Sequence, residues 1–177
     1  MMCSESGLSD IAKKMIAGFL ELAPSLTAFG NTVPTSFLRL VPHQEAPTSI
    51  CWGDRNRSVL VWVPLGWMNT DKMILDANPN EKENDHKFMS NQTVELRSPD
   101  GSANVHLLLA GMTVAALYGL EKADSLKIAE ELYVQADATK VKKLKQLPAS
   151  CFEAANRLLK DRKLYENHDV FPPKMID

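Results

Sequence analysis

The side chains of this sequence that are best suited to binding an anionic reactant are three arginines, Arg39, Arg57 and Arg97. Arginine carries a planar guanidinium group that stays charged at physiological pH and grips a carboxylate or phosphate through paired hydrogen bonds. Together they suit a site that holds a dicarboxylate and a phosphoryl group in transfer. Taken one at a time, each arginine is more typical of a solvated or salt-bridged surface position.

Two carboxylates accompany these arginines. Glu95 and Arg97 are two residues apart in an alternating run, so they fall on the same face of a predicted strand. Glu95 on that face suits Mg²⁺, which prefers a few carboxylates together with phosphate oxygens and water, although a lone strand glutamate is usually solvated. Glu45 lies in a proline-rich irregular loop over 32–47, which also carries Arg39.

The pattern of apolar and polar residues predicts the secondary structure that carries these side chains. A helix is predicted to begin with Ser9 or Asp10 as its N-cap and to end near Pro24. The β-branched and aromatic runs 49–53 and 58–64 predict a hairpin with arginines at its tip.

Further helices follow towards the C-terminus. The run 102–117 predicts a helix that is apolar almost all round, with Gly119 as its C-terminal cap. Ser150 and Glu153 form a capping box that opens another helix, and the polar stretch 65–92 predicts an excursion from the sheet. The fold class predicted is α+β, with a mainly antiparallel sheet covered by helices.

Length, composition and net charge limit the classes of protein to which this chain can belong. The 177 residues give room for a single domain over 1–177 with a sizeable core. With 45% hydrophobic residues, 24% charged residues and a formal net charge of -2, no basic field exists to gather nucleic acid or an anionic membrane. The most apolar run, 107–117, is shorter than the roughly 20 residues of a membrane span, and no secretion leader is apparent.

The number and spacing of the cysteines and histidines bear on the cellular compartment and on metal binding. Cys3, Cys51 and Cys151 are odd in number, far apart and without C-x-x-C spacing, which favours free thiols in a reducing compartment, the cytoplasm. The histidines show no metal-binding spacing, so packing or surface roles are predicted for them.

Three stretches resemble signatures of the glutamine synthetase family, in the family's order. They are Thr32-Val-Pro-Thr-Ser-Phe-Leu-Arg-Leu-Val-Pro-His-Gln-Glu-Ala-Pro-Thr48, Gly53-Asp-Arg-Asn-Arg-Ser58 and Val94-Glu-Leu-Arg-Ser-Pro-Asp-Gly-Ser-Ala-Asn104. The resemblance implies part of a split β-barrel catalytic domain. It also implies an ATP-dependent glutamate–ammonia ligase of nitrogen metabolism, which makes glutamine through γ-glutamyl phosphate.

The resemblance assigns roles residue by residue. Arg39 and Arg97 would bind the glutamate substrate. Arg57 would contact the nucleotide phosphate and neutralise charge on the transferred phosphoryl group. Glu45 would lie on a flap that shields the acyl phosphate from water and helps to deprotonate ammonium. Glu95 would ligate Mg²⁺ or Mn²⁺, with ATP as a substrate.

The resemblance covers only the C-terminal part of the family's catalytic domain. We expect the N-terminal β domain and the upstream strands with most metal ligands to be absent, and the isolated chain to be inactive. Trp62 stands where the family usually has an arginine that contacts ATP phosphates, and an indole carries no charge.

The implied parent enzyme is a cytoplasmic homo-oligomer that takes glutamate, ATP and ammonia. Two alternatives stay open. One is a naturally short, non-catalytic relative that acts as a binding or regulatory partner. The other is a ligase that joins glutamate to a different amine.

Overall fold

A computed structural model describes residues 2–4, 7–41, 44, 46–64, 77–78, 80, 92–141 and 143–177. Glu45 and nearly all of the predicted excursion over 65–92 lie outside these residues. Helices outweigh strands in the described ranges, and the α+β class is confirmed. None of the helices in those ranges combines the length and the apolar character needed to cross a bilayer.

Short strands and longer helices follow one another along the described ranges. In chain order they are β1 (Cys3–Ser4), β2 (Gly7–Leu8), α1 (Asp10–Gly30), α2 (Ser36–Arg39), β3 (Trp52–Asp54), β4 (Val61–Val63), β5 (Glu95–Leu96), α3 (Val105–Glu121), α4 (Ser125–Glu131), α5 (Cys151–Glu166) and α6 (Pro173–Ile176). Strands β1 and β2 pair with each other, and β3, β4 and β5 form a second small sheet in that order.

Helix α1 begins as predicted but does not end as predicted. The Ser9 hydroxyl accepts a hydrogen bond from the backbone N–H of Ala12 at 3.2 Å, which caps the helix. Pro24 lies inside α1 instead of ending it. A proline within a helix removes one backbone hydrogen bond. Leu26 and Phe29 beyond it are only 1% and 5% exposed, and their burial in the core outweighs that loss.

Helix α3 packs along α1 and differs from its prediction in two respects. Gly119 is not a C-terminal cap, because it lies within α3 and its backbone faces α1. The helix is also not buried all round. Leu108 and Val114 are buried, whereas Val105 and Leu109 are 59% and 57% exposed.

The predicted hairpin of β3 and β4 is wrong, because the two strands run parallel, with Trp52 beside Val61. The connection turns sharply at Arg55, which has a φ of 54°. It then folds back across the sheet because Val59 and Leu60 are completely buried, one in each of two hydrophobic clusters. Strand β5 pairs antiparallel with β4 on the other side.

The main core lies between the sheet and helices α1, α3 and α5. Within it, the rings of Phe29 and Phe171 stack at 5.2 Å, and Tyr165 meets both edge-on. The buried Tyr165 hydroxyl lies 2.8 Å from the hydroxyl of Ser25, which ties α5 to α1. Burial raises the pKa of Tyr165, so its hydroxyl stays neutral and hydrogen-bonded.

Helix α5 begins as its sequence predicts. The Ser150 hydroxyl accepts from the backbone N–H of Glu153 at 3.2 Å, and the Glu153 carboxylate accepts from the backbone N–H of Ala149 at 2.9 Å. The prediction of free thiols is confirmed for Cys51 and Cys151.

Candidate active site

Strands β4 and β5 present one polar face and one apolar face. Trp62 lies opposite Glu95 in the antiparallel pair, so the two side chains share a face, and Arg97 follows on the same face by alternation. Val94 and Leu96 point the other way and pack against the main core. The alternation predicted from the sequence is therefore confirmed.

Arg97 is held on this polar face by two contacts. Its Nε lies 3.9 Å from Oε1 of Glu95, and its Nη1 donates a hydrogen bond to the backbone carbonyl of Arg57. The Arg97 side chain is 17% exposed, against 54% for Glu95. A guanidinium group fixed in this way loses less conformational freedom when it binds an anion.

Arg57 is exposed and lies beside this pair. Its guanidinium carbon is 5.7 Å from the centroid of the Trp62 ring, a cation–π arrangement. The turn that carries it is anchored by Asn56, whose side-chain amide donates to the carbonyls of Val134 and Ala136 at 2.9 and 2.8 Å. The backbone of Arg57 is therefore fixed while its charged end reaches solvent.

Arg39, the last residue of α2, is connected to the site by hydrogen bonds from its side chain to the backbone that follows Arg97. One terminal nitrogen donates to the carbonyls of Ser98 and Pro99 at 2.6 and 2.7 Å. Its Nε is buried, with no hydrogen bond to any other described residue. Arg97 therefore contacts both Glu95 and the backbone of Arg57, and Arg39 braces the segment that follows Arg97.

A hydrogen-bonded loop after β5 supports these arginines. Buried Asn31 donates to the carbonyl of Ser98 at 2.9 Å, and the Asp100 carboxylate accepts from the backbone N–H of Ser102 at 2.8 Å. Burial alone would raise the pKa of Asp100, but hydrogen bonds from Ser102, Ser36 and Asn31 outweigh it and lower the pKa to about 2. Sequence reasoning missed this role of Asn31 and Asp100, although the Ser-Pro-Asp-Gly turn was a signal for it.

A protein-family model described as glutamine synthetase, catalytic domain, matches residues 1–177. The chain belongs to this family. The glutamine synthetase of Pyrococcus abyssi is 36% identical over 165 residues, which cover 92% of the chain and 33% of that relative. The glutamine synthetase of Streptomyces coelicolor is 33% identical over 174 residues, covering 97% and 33%. The chain thus spans about one third of the length of the curated relatives it matches.

Solved structures agree with the fold of a glutamine synthetase catalytic domain. The cryo-electron microscopy structure of Plasmodium falciparum glutamine synthetase matches 99% of the chain and 38% of its own length, with a TM-score of 0.66 and 20% identity. The ligand-free structure of GmaS matches 92% of the chain and 32% of its own length, with a TM-score of 0.63 and 25% identity.

The metal ions implied by the resemblance to glutamine synthetase have one proposed ligand in this chain, Glu95. Within the described residues, no group of three or more His, Cys, Asp or Glu side chains could hold an ion. Glu95 instead has the cationic Arg97 as a neighbour, at 3.9 Å. One exposed carboxylate beside a guanidinium group does not fit a site for several ions.

Two further residues to which the resemblance gives a meaning are Trp62 and Glu45. The indole Nε1 of Trp62 is buried and has no hydrogen-bond partner among the described residues. Trp62 therefore adds ring surface under Arg57 but no positive charge. Glu45 lies outside the described residues, and its role on a flap stays a prediction.

Proposed function

We propose that this chain forms one wall of a glutamine synthetase active site, and that Arg39, Arg57 and Arg97 bind the anionic groups of the reactants. The observation that carries the proposal is the contact of Arg97 with both Glu95 and the backbone of Arg57 on one strand face. The family match over residues 1–177 supports it. Positive charge fixed in advance suits a site where negative charge develops.

The proposed reaction has two steps. The γ-carboxylate of glutamate attacks the γ-phosphorus of ATP, which forms γ-glutamyl phosphate and releases ADP. Ammonia then attacks the acyl carbon, phosphate leaves with the bonding electron pair, and the nitrogen loses its extra proton to give glutamine. Arg39 and Arg97 would hold the glutamate. Arg57 would stabilise charge on the transferred phosphoryl group, and Glu45 would shield the acyl phosphate and accept the proton.

The chain alone should not complete this reaction. It spans about one third of its curated relatives, and its described residues do not form a metal site. We therefore expect the purified 177-residue chain to make no glutamine from glutamate, ammonia and Mg-ATP. Glutamine formation by this chain, measured with ¹⁵N-labelled ammonia, would refute the incomplete-wall proposal.

Glutamate binding tests the site directly. In an NMR titration of the chain, L-glutamate should shift the side-chain Nε–Hε signals of Arg57 and Arg97 at millimolar concentrations, and glutamine should shift them far less. Arg157, whose Nε already bonds to Asp161 at 2.9 Å on α5, is an internal control whose signal should not move. Equal shifts with both ligands, or no shift at either site arginine, would contradict the proposal.

A second candidate is a non-catalytic relative that binds glutamate without turning it over. The uncharged Trp62 favours it, because a site with one arginine fewer grips nucleotide phosphates less firmly. Calorimetry with ADP separates the two candidates. Binding of ADP that is lost on Arg57→Ala supports the ligase, and glutamate binding without ADP binding supports the non-catalytic relative.

A further inference from the structure

Trp62 is the one uncharged side chain among the described residues that share the polar face of β4 and β5. It lies opposite Glu95, on the same face as Arg97. Its side chain packs against the smaller of the two hydrophobic clusters, and its indole Nε1 is buried. The residues of that cluster are Cys51, Val59, Val134 and Ala138. The Trp62 ring is therefore fixed by packing on this cluster.

The backbone and the side chain of Arg57 are held in different ways. The backbone carbonyl of Arg57 accepts a hydrogen bond from Arg97, and Asn56 anchors the turn. The guanidinium group of Arg57 forms no hydrogen bond or ion pair with another described residue, and its carbon lies 5.7 Å from the centroid of the Trp62 ring. An arginine side chain that is free in solvent samples many rotamers. The ring is thus the described group that limits where the charge of Arg57 can lie.

A cation–π contact suits this task because it leaves the donors of the guanidinium group available. The ring attracts the positive charge as a whole, so the contact needs no conventional hydrogen bond. Arg39 shows the contrast, since one of its terminal nitrogens already donates to the carbonyls of Ser98 and Pro99 at 2.6 and 2.7 Å. The N–H groups of Arg57 can still form paired hydrogen bonds with an anion.

We propose that Trp62 is a positioning residue for Arg57, whose charge it keeps on the polar face of β4 and β5, where Arg57 binds a phosphoryl oxygen. This inference rests on the proposed function of Arg57. A cationic side chain at position 62 would repel Arg57, whereas the neutral ring attracts it. Exposed cation–π contacts of this kind favour the bound orientation about two- to fivefold.

The orientation is measured first, in the full 177-residue chain without any ligand. An aromatic ring shifts the NMR signals of protons held over its face upfield. The side-chain Nε–Hε and δ-methylene signals of Arg57 should therefore move downfield in Trp62→Leu. Arg55 is the internal reference, because it lies in the same turn and pairs with Asp54 at 3.3 Å. Its signals should stay in place.

The consequence for binding is measured with inorganic phosphate as the probe. A titration followed at the Nε–Hε signal of Arg57 should show about two- to fivefold weaker affinity in Trp62→Leu than in the parent chain. Trp62→Phe keeps an aromatic face and should lose less than about twofold. Recovery by phenylalanine separates the effect of the ring from the effect of apolar packing, which leucine also provides.

Leu144→Ala is the control for a merely structural effect. Leu144 also packs against the cluster beside Trp62, and it is not part of the polar face of β4 and β5. Its truncation should lower the free energy of unfolding. The signals of Arg57 should not move, and the phosphate affinity should stay within about 1.5-fold of the parent.

Three outcomes would overturn the positioning role. They are Arg57 signals that do not move in Trp62→Leu, equal phosphate affinities of Trp62→Phe and Trp62→Leu, and an equal loss of affinity in Leu144→Ala. A parent chain whose Arg57 binds no phosphate would instead refute the proposed function, and with it the binding role of Trp62. The spectra without ligand would still decide whether the ring orients Arg57.

Discussion

Gly18 of α1 and Gly119 of α3 meet backbone to backbone where the two helices cross. A β-carbon on Gly18 would lie 1.9 Å from the carbonyl oxygen of Ala115, and one on Gly119 would lie 2.1 Å from the carbonyl oxygen of Lys14. Real β-carbons never come so close to a backbone atom. The close approach of α1 and α3, the most extensive helix contact of the described chain, therefore requires glycine at both positions.

We expect Gly119→Ala to destabilise the chain by about 3 kcal/mol, because the two helices would have to separate and loosen the core around them. The gain in helix propensity from glycine to alanine, about 1 kcal/mol, opposes this effect and is already included in the figure. Urea unfolding of the 177-residue chain, followed by circular dichroism, measures the change in the free energy of unfolding.

Gly101→Ala is the matched control. A β-carbon at Gly101 meets nothing within 4 Å, so its free energy of unfolding should stay within about 0.5 kcal/mol of the parent. If Gly101→Ala lowered the free energy of unfolding as much as Gly119→Ala, the helix crossing would not be the cause of the destabilisation.

Local signals in the sequence predicted the features that depend on a few neighbouring residues. The Ser9 cap, the Ser150–Glu153 capping box and the polar face shared by Glu95 and Arg97 all follow from hydrogen bonds or alternation within one element. Predicting these features required no information about the tertiary contacts of each element.

The wrong predictions depended on tertiary contacts. Pro24 does not end α1 because the residues after it are buried in the core, which stabilises the continued helix. Gly119 does not cap α3 because it lies within that helix, where it allows close contact with α1. The parallel pairing of β3 and β4 depends on burying Val59 and Leu60 on opposite sides of the connection. Supporting residues such as Asn31 act across a long sequence separation, which no periodic pattern reveals.

Asp100 should make the free energy of unfolding depend on pH. Its pKa is about 2 in the folded chain, against about 3.9 for an unfolded aspartate, so the folded state favours the carboxylate. That contribution is present above about pH 4 and is lost as the pH falls through about 2. Asp100→Asn should therefore lower the free energy of unfolding at pH 6, and the difference from the parent should shrink steadily towards pH 2.

Urea unfolding at several pH values measures this, with Glu130→Gln as the control. Glu130 is an exposed carboxylate of α4, and removing its charge should change the free energy of unfolding at pH 6 by less than about 0.5 kcal/mol. A deficit of Asp100→Asn that stays constant from pH 6 to pH 2 would contradict the carboxylate role.

Cys51 and Cys151 should differ in reactivity. Cys51 is completely buried, and burial raises its pKa to about 11 despite an opposing hydrogen bond from Leu60. Only about one molecule in a thousand would then carry the thiolate at pH 8. We expect iodoacetamide to modify the half-buried Cys151 at least about 100-fold faster in the native chain, measured by peptide mass spectrometry. Denaturing urea should abolish the difference, and rapid native modification of Cys51 would contradict it.

Arg57 should matter most for turnover in any active enzyme that contains this chain. Its guanidinium group is exposed over Trp62 and beside Arg97, where the proposal places the transferred phosphoryl group. Arg57→Ala should lower kcat about 100- to 1000-fold, the usual loss when one charge-stabilising donor is removed. Arg55→Asn is the control, because Asn tolerates the left-handed backbone of Arg55, and it should leave kcat within about twofold. Equal effects of the two variants on glutamine formation would show that the turn contributes only general positive charge.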